Sequence, residues 1–291
     1  MKLSKWKEKG SFFSYNSHKI FFVSEGEGEV ILLIHGFPTA SWDWSHMWDS
    51  LLANHQLLAL DMIGFGFSDK PRPYPYSILD QADIIESLLL DQGIDTCHIL
   101  CHDYGDTVAQ ELLTRFEDRK STGVSGLVVR SICFLNGGLF PETHHPLLIQ
   151  KILMGPFGSL VGKLLNRKRL EKNLRGIFGS NTQPSAATLQ AFWSLITEND
   201  GLKISHLLIR YMQERVTHRE RWVGAMQMTS IPLRLIDGLE DPISGKHMVD
   251  RYKELIPEAD VVGLENIGHF PNVEAPNKVV THYLDFLKSG D

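Results

Sequence analysis

Apolar and polar positions fall into two regimes along the chain. Gly10–Asn16 and His18–Glu25 read as strands joined by a short turn, and the Gly-Glu-Gly-Glu turn at 26–29 leads into Val30–Ile34, apolar at every position. Such an unbroken run is expected of a strand covered on both faces. Similar short runs occur at His55–Asp61, His98–Cys101 and Val128–Leu135, with helical spacing between them near 43–54, 79–93 and 106–118. Alternating strands and helices predict an α/β fold around a mostly parallel sheet. At about residue 140 the alternation stops, and to about 230 the chain reads as helical or irregular. Strands resume at Pro232–Ile236 and Asp260–Leu264, and a helix closes the chain at about 276–288. The expected organisation is a core domain, residues 1–139 and 231–291, interrupted by a helical cap, residues 140–230.

Composition narrows the function classes. The chain has 291 residues, 43% hydrophobic and 22% charged, which excludes a disordered chain and fits one domain with an insertion. A net charge of −6 leaves no overall basic footprint for nucleic acid. Residues 141–230 carry twelve Lys/Arg and six Asp/Glu, so a basic insertion sits on an acidic remainder. That asymmetry suits electrostatic docking, an anionic ligand or merely a solvated surface. No apolar run approaches the ~18–20 residues of a membrane span, and MKLSKWKEKG has no apolar segment of a signal peptide behind it. Cys97, Cys101 and Cys133 lie in apolar surroundings and form no disulfide framework. The expectation is a cytoplasmic protein.

The chemistry concentrates at strand ends. Ile99-Leu100-Cys101-His102-Asp103-Tyr104-Gly105-Asp106 follows a buried strand and opens a helix. A nucleophile elbow needs small residues two before and two after the reactive side chain, because its turn is sharp and strained. Cys101 and Gly105 fill those places and Asp103 the reactive one, although Asp103 also suits a simple helix cap. His35-Gly36-Phe37-Pro38 follows the strand 30–34, where a loop N–H completes an oxyanion hole with the residue after the nucleophile. Phe37 and Tyr104 are the expected donors. Asp241 lies just past the strand 232–236 and His269 just past 260–264. Nucleophile, acid and His thus occur in this triad's chain order, at the strand ends where open α/β sheets bind ligands.

These residues resemble the α/β-hydrolase superfamily, in the branch of epoxide hydrolases and haloalkane dehalogenases, over nearly the whole chain. His-Gly-Phe-Pro, Asp61-x-x-Gly64-x-Gly66-x-Ser68, His-Asp-Tyr-Gly and the 268–276 segment Gly-His-Phe-Pro-x-x-Glu-x-Pro carry the likeness. Residues 60–78, 102–111, 136–148 and 221–225 are most similar to the mesoderm-specific transcript group, which lends fold more than function.

A Ser nucleophile suits an acyl carbon. A carboxylate is already ionised at neutral pH, and its attack on a saturated carbon gives an ordinary ester. Asp103 therefore points to alkyl transfer, with epoxide opening ahead of halide displacement. An esterase or lactonase and a non-catalytic binder are the further alternatives. In the expected mechanism Asp103 forms an alkyl ester and His269 activates the water that hydrolyses it. Asp241 steadies His269, and no metal or organic cofactor is needed. The partners are a hydrophobic small molecule and water.

Related epoxide hydrolases use a pair of cap tyrosines as proton donors, and the insertion holds one, Tyr211. Related dehalogenases hold halide with a Trp after the nucleophile; Tyr104 stands there, leaving Trp193 or Trp222 as substitutes. Fluoroacetate-type dehalogenases place arginines near the nucleophile, and none follows Asp103 before Arg115. His35, His102, His144 and His145 are further pocket candidates. His144-His145 is too short a motif for a metal site. Leu147–Leu165 is strongly apolar, as core or as a substrate tunnel. Gly155, Pro156, Gly158 and Gly162 interrupt it and would permit a mobile lid.

Overall fold

The structure, a computed structural model, describes residues 1–155, 158–159 and 166–289. Eight strands form one sheet: β1 (Ser11–Tyr15), β2 (His18–Glu25), β3 (Glu29–Ile34), β4 (His55–Leu60), β5 (Thr96–His102), β6 (Val128–Leu135), β7 (Leu233–Gly238) and β8 (Asp260–Leu264). Their order is β1-β2-β4-β3-β5-β6-β7-β8. β2 pairs antiparallel with β1 and β4, and the pairs from β4 onward are parallel. Every expected strand is present, within two residues of its expected bounds.

The unbroken apolar runs are explained by burial on both faces. Leu32 and Ile34 of β3 join one hydrophobic cluster and Ile31 and Leu33 the other; Leu58 and Leu60 of β4 divide from Leu57 and Ala59 in the same way. Adjacent side chains point to opposite faces of a strand, so both must be apolar when helices cover both.

Helices Ile78–Asp91 and Tyr104–Thr122 follow β4 and β5, and Pro276–Ser289 closes the chain. The expected helix at 43–54 is instead a 3-10 turn, Ser41–His46, followed by Trp48–Leu52. An unexpected helix, Leu3–Lys9, has one buried residue, Trp6, whose Nε1 donates to Ser41 Oγ at 3.0 Å, while Leu3 packs at the edge of the core and Lys9 pairs with Glu25. Between β6 and β7 the described residues form helices, among them Leu148–Met154, Arg167–Arg175, Ala186–Thr197, Tyr211–Thr217 and Arg219–Met228. Helix Leu148–Met154 stops at Gly155, whereas Pro156, Gly162 and much of the apolar stretch to Leu165 lie outside the described residues. Between β6 and β7, Arg221 meets Asp118 of helix Tyr104–Thr122 at 2.8 Å on the surface. Among the described residues no helix is long and apolar enough to cross a membrane, and all three cysteines are free and buried.

Two motifs brace the loops above the sheet. Asp61 Oδ1 accepts from the Ser41 N–H at 2.8 Å and Oδ2 from the Phe67 N–H at 2.7 Å. A Cβ on Gly66, whose φ is +48°, would lie 2.1 Å from Asp61 Oδ2, so this turn admits only glycine. Gly105 meets a similar limit: a Cβ there would sit 2.4 Å from the Ile34 carbonyl oxygen. Because backbone, not a flexible side chain, blocks it, Gly105→Ala is expected to cost about 1–3 kcal/mol. Urea unfolding checks this, and an unchanged midpoint contradicts it.

Candidate active site

Asp103 is the hinge between β5 and helix Tyr104–Thr122. Its φ of 49° and ψ of −102° are a conformation non-glycine residues rarely adopt. The sharp reversal lifts the side chain above the sheet. Its carboxylate makes no capping hydrogen bond to the helix. Instead Oδ2 accepts from the Phe37 N–H at 3.0 Å, and Oδ1 accepts from the Tyr211 hydroxyl at 3.3 Å. The Tyr104 N–H opens the helix, among the first four amides that find no partner within a helix. The positive end of the helix dipole also favours the carboxylate.

Asp241 and His269 meet at the same end of the sheet. His269 Nδ1 lies 2.8 Å from Asp241 Oδ2, and both side chains are buried. Asp241 also accepts from the Ile243 N–H at 2.8 Å, Ser244 Oγ at 2.8 Å and Asn136 Nδ2 at 3.2 Å. Burial opposes its ionisation, yet the His269 charge and these hydrogen bonds prevail and hold the carboxyl below its usual range. The His269 imidazole is pulled down by burial, but Asp241 and then Asp103 outweigh that and raise it to about 9.

The loop carrying His269 is clamped. Glu274 accepts from the N–H groups of Gly268, Phe270 and Gly179 at 2.9, 3.0 and 2.8 Å. The His269 N–H donates to the Ile177 carbonyl at 2.8 Å, so the insertion grips the loop as well. His102 faces away from chemistry: its Nε2 contacts the His269 carbonyl at 2.7 Å, and burial first, then His269, lowers it to about 4. His35 is likewise built into the frame. Its Nε2 accepts from the Met62 N–H at 3.1 Å, and burial lowers it to about 3.

A cavity opens over Asp103 and His269. Phe37, Leu147, Ile149, Leu153, Leu174 and Ile243 supply much of its apolar wall, so part of the apolar 147–165 stretch lines it. Gln150, Asn173 and Ser205 add polar points. Tyr211 is absent from this lining; its ring packs 4.6 Å from the Tyr104 ring and only its hydroxyl reaches Asp103.

Other sequence candidates sit elsewhere. Trp222 is buried, but its Nε1 donates to Glu111 Oε2 at 2.7 Å and is therefore spent away from the cavity. Half-buried Trp193 and buried His35, His102 and Tyr104 do not line the cavity. His145 stacks on His247 at 4.2 Å. His144 borders a separate cavity beside Arg215, and burial first, then Arg215, lowers its imidazole to about 3. No group of three or more His, Cys, Asp or Glu among the described residues is arranged to hold a metal.

Arg215 is the residue the sequence concealed. Arg115, the first arginine after Asp103, pairs with Asp83 and Glu86 instead. Arg215, buried in the insertion, places Nη2 3.7 Å from Asp103 Oδ1 and 3.0 Å from the Asp103 carbonyl oxygen, with Nε 2.7 Å from Thr107 Oγ1. The available signal was its position one helical turn after Tyr211. Asn136 and Glu274 also escaped notice as braces, although Glu274 lies within the 268–276 motif.

Residues 31–282 match the alpha/beta hydrolase family. The chain belongs to that family. Among this hydrolase's relatives is the mesoderm-specific transcript homolog protein of Bos taurus, 41% identical over 298 residues, covering 99% of this chain and 88% of the relative. The haloalkane dehalogenase DatA from Agrobacterium tumefaciens C58 superimposes with a TM-score of 0.81 at 20% identity, over 97% of each chain. The epoxide hydrolase CorEH gives 0.78 at 18%, covering 96% of this chain and 98% of its own. At those identities the two structures establish the hydrolase fold alone.

Replacing Asp241 by Asn removes the anion that most favours the His269 imidazolium. The His269 pKa in this hydrolase should fall from about 9 to the ordinary range near ~6.5 or lower. A histidine Cε1–H titration by NMR reads this directly, and a value still near 9 would exclude Asp241 as its cause.

Proposed function

We propose that this α/β hydrolase opens epoxides on hydrophobic small molecules by way of an alkyl ester on Asp103. The observation that carries the reading is the unequal treatment of the two Asp103 oxygens. Oδ2 is held by a loop amide, and Oδ1 faces a phenol from the insertion. The shorter bond pins Oδ2, and the longer contact to the Tyr211 hydroxyl leaves Oδ1 as the nucleophile. The Phe37 amide already meets the oxygen that becomes an oxyanion during ester hydrolysis, and the Tyr104 amide at the helix start is the proposed second donor.

In the first step an Oδ1 lone pair forms a bond to an epoxide carbon. The breaking ring C–O bond leaves its electron pair on the ring oxygen, which takes the Tyr211 proton. In the second, His269 removes a proton from water, and the hydroxide adds to the Asp103 carboxyl carbon. Collapse expels the diol oxygen, which receives the proton from His269. Esterification also prepares the base. Asp103 is among the carboxylates that raise the imidazole to about 9, and the ester removes its charge. His269 then releases its proton to solvent more readily, and the neutral imidazole accepts one from the attacking water; solvent returns the first proton once the Asp103 carboxylate is regenerated.

Helix Tyr211–Thr217 acts as a cap over the elbow, and the apolar cavity wall suits an apolar substrate. Halide displacement is the less supported reading. The Trp222 N–H that would cradle a halide is committed to Glu111, whereas a phenol stands beside the nucleophile.

Three measurements test the proposal. His269→Gln protein incubated with aryl and fatty epoxides should accumulate an adduct on the peptide bearing Asp103, and wild-type protein should release diol. Absence of any adduct refutes the ester, and bromide release from bromoalkanes without diol from epoxides reverses the ranking. In wild-type protein, decay of the transient ester followed by rapid quench should speed up with rising pH, with a midpoint below about 9; a flat profile removes His269 as the base.

A further inference from the structure

One tyrosine, Tyr211, reaches the proposed nucleophile, and a buried cation stands over its ring. We infer that Arg215 assists leaving-group protonation by pairing with the phenolate that Tyr211 becomes when it gives up its proton. This rests on the epoxide-opening reading above.

Three geometrical facts support it. The guanidinium carbon lies 4.5 Å from the Tyr211 ring centroid, over a ring whose negative charge grows as the phenol ionises. Arg215 Nη2 and the Tyr211 hydroxyl converge on one atom, Asp103 Oδ1, at 3.7 and 3.3 Å. The guanidinium is also fixed to the elbow, through Thr107 Oγ1 and the Asp103 carbonyl, so it stays in place as the chemistry proceeds.

Charge balance gives the reason. Asp103, Tyr211 and Arg215 are 4%, 1% and 2% exposed, and a buried charge needs a partner. Among the described residues Asp103 is the one carboxylate within ion-pair distance of Arg215. Nearby Asp106 is fully buried, burial pushes its carboxyl well above the usual range, and it makes no ion pair with Arg215 among the described residues. Arg215 Nη1 is buried with no hydrogen-bond partner and has donor capacity to spare. Once Oδ1 is bonded to carbon, the Asp103 charge is gone and the guanidinium would be stranded. A phenolate on Tyr211 restores the pair 3.3 Å from where the Oδ1 charge was lost. Burial, then the Asp103 carboxylate, makes the resting phenol a poor acid, and Arg215 opposes both. Esterification removes the second influence at the moment the proton must leave.

The cycle closes in the same space. Ester hydrolysis leaves Asp103 as a carboxylic acid carrying an oxygen from water. Its proton passes to the Tyr211 phenolate, regenerating carboxylate, phenol and the resting ion pair. Epoxide plus water becomes diol, and no other reactant is needed.

A double-mutant cycle tests this. Alkylation of Asp103 by styrene oxide is followed by mass spectrometry under single-turnover conditions in the His269→Gln background. Arg215→Gln should slow alkylation about 100-fold, and Arg215→Lys, which keeps the charge, should recover at least about a tenth of the rate. In a Tyr211→Phe background, Arg215→Gln should cost less than about threefold more, because the phenolate it serves is absent. Equal losses in both backgrounds, or a Lys variant as slow as Gln, would overturn the proposal and make Arg215 a support for Asp103 or the fold. Failure of the His269→Gln parent to form any adduct would instead refute the ester reading, and this proposal with it.

Discussion

The backbone turn at Asp103 is the constraint on which the rest of the site depends. A positive φ on a non-glycine residue costs about 1–3 kcal/mol and persists only where its surroundings enforce it. Here β5 is paired on both sides, by β3 and β6, and Gly105 lets helix Tyr104–Thr122 start against the Ile34 carbonyl. Strand and helix are each fixed by core packing, and the single residue between them absorbs the reversal. Its side chain is thereby projected at the loop amide of Phe37 and at the insertion.

Around that carboxylate the molecule balances buried charge. Asp103 and Asp241 are set against His269 and Arg215, all four buried. Each ion is expensive alone and tolerable in the set, because its partners and hydrogen bonds replace water. In the proposed reaction the ester removes one negative charge from this group, and a phenolate on Tyr211 beside Arg215 replaces it. His269 loses a reason to stay protonated, and Tyr211 gains a reason to ionise beside Arg215. Neighbouring loops carry no such duty. Glu274, His102 and Asn136 serve to hold the His269 and Asp241 loops in register.

What could be read from the chain divides by range. The strands were legible because burial on both faces demands runs such as Val30–Ile34. That Asp103, Asp241 and His269 would meet at one end of the sheet was legible because each follows a strand end within a local motif, and parallel strands bring those ends together. Arg215 was not, since it reaches Asp103 from 112 residues away on a helix whose docking no local pattern dictates. Trp222 misled for the converse reason: an indole N–H looks available until the fold gives it Glu111. Helix Leu3–Lys9 was hidden because it buries one side chain, Trp6, which leaves no apolar periodicity to read. The break at 41–52 reflects several large aromatics packing where a regular helix was expected.

Oxygen-18 placement tests most directly whether Asp103 itself forms and loses the bond. After one turnover of wild-type protein with excess enzyme in labelled water, the label should reside on the Asp103 carboxyl, and the new oxygen of the diol should be unlabelled. Label in the diol from the first turnover, with Asp103 unlabelled, would mean that water attacks the substrate directly and would contradict a covalent role for Asp103.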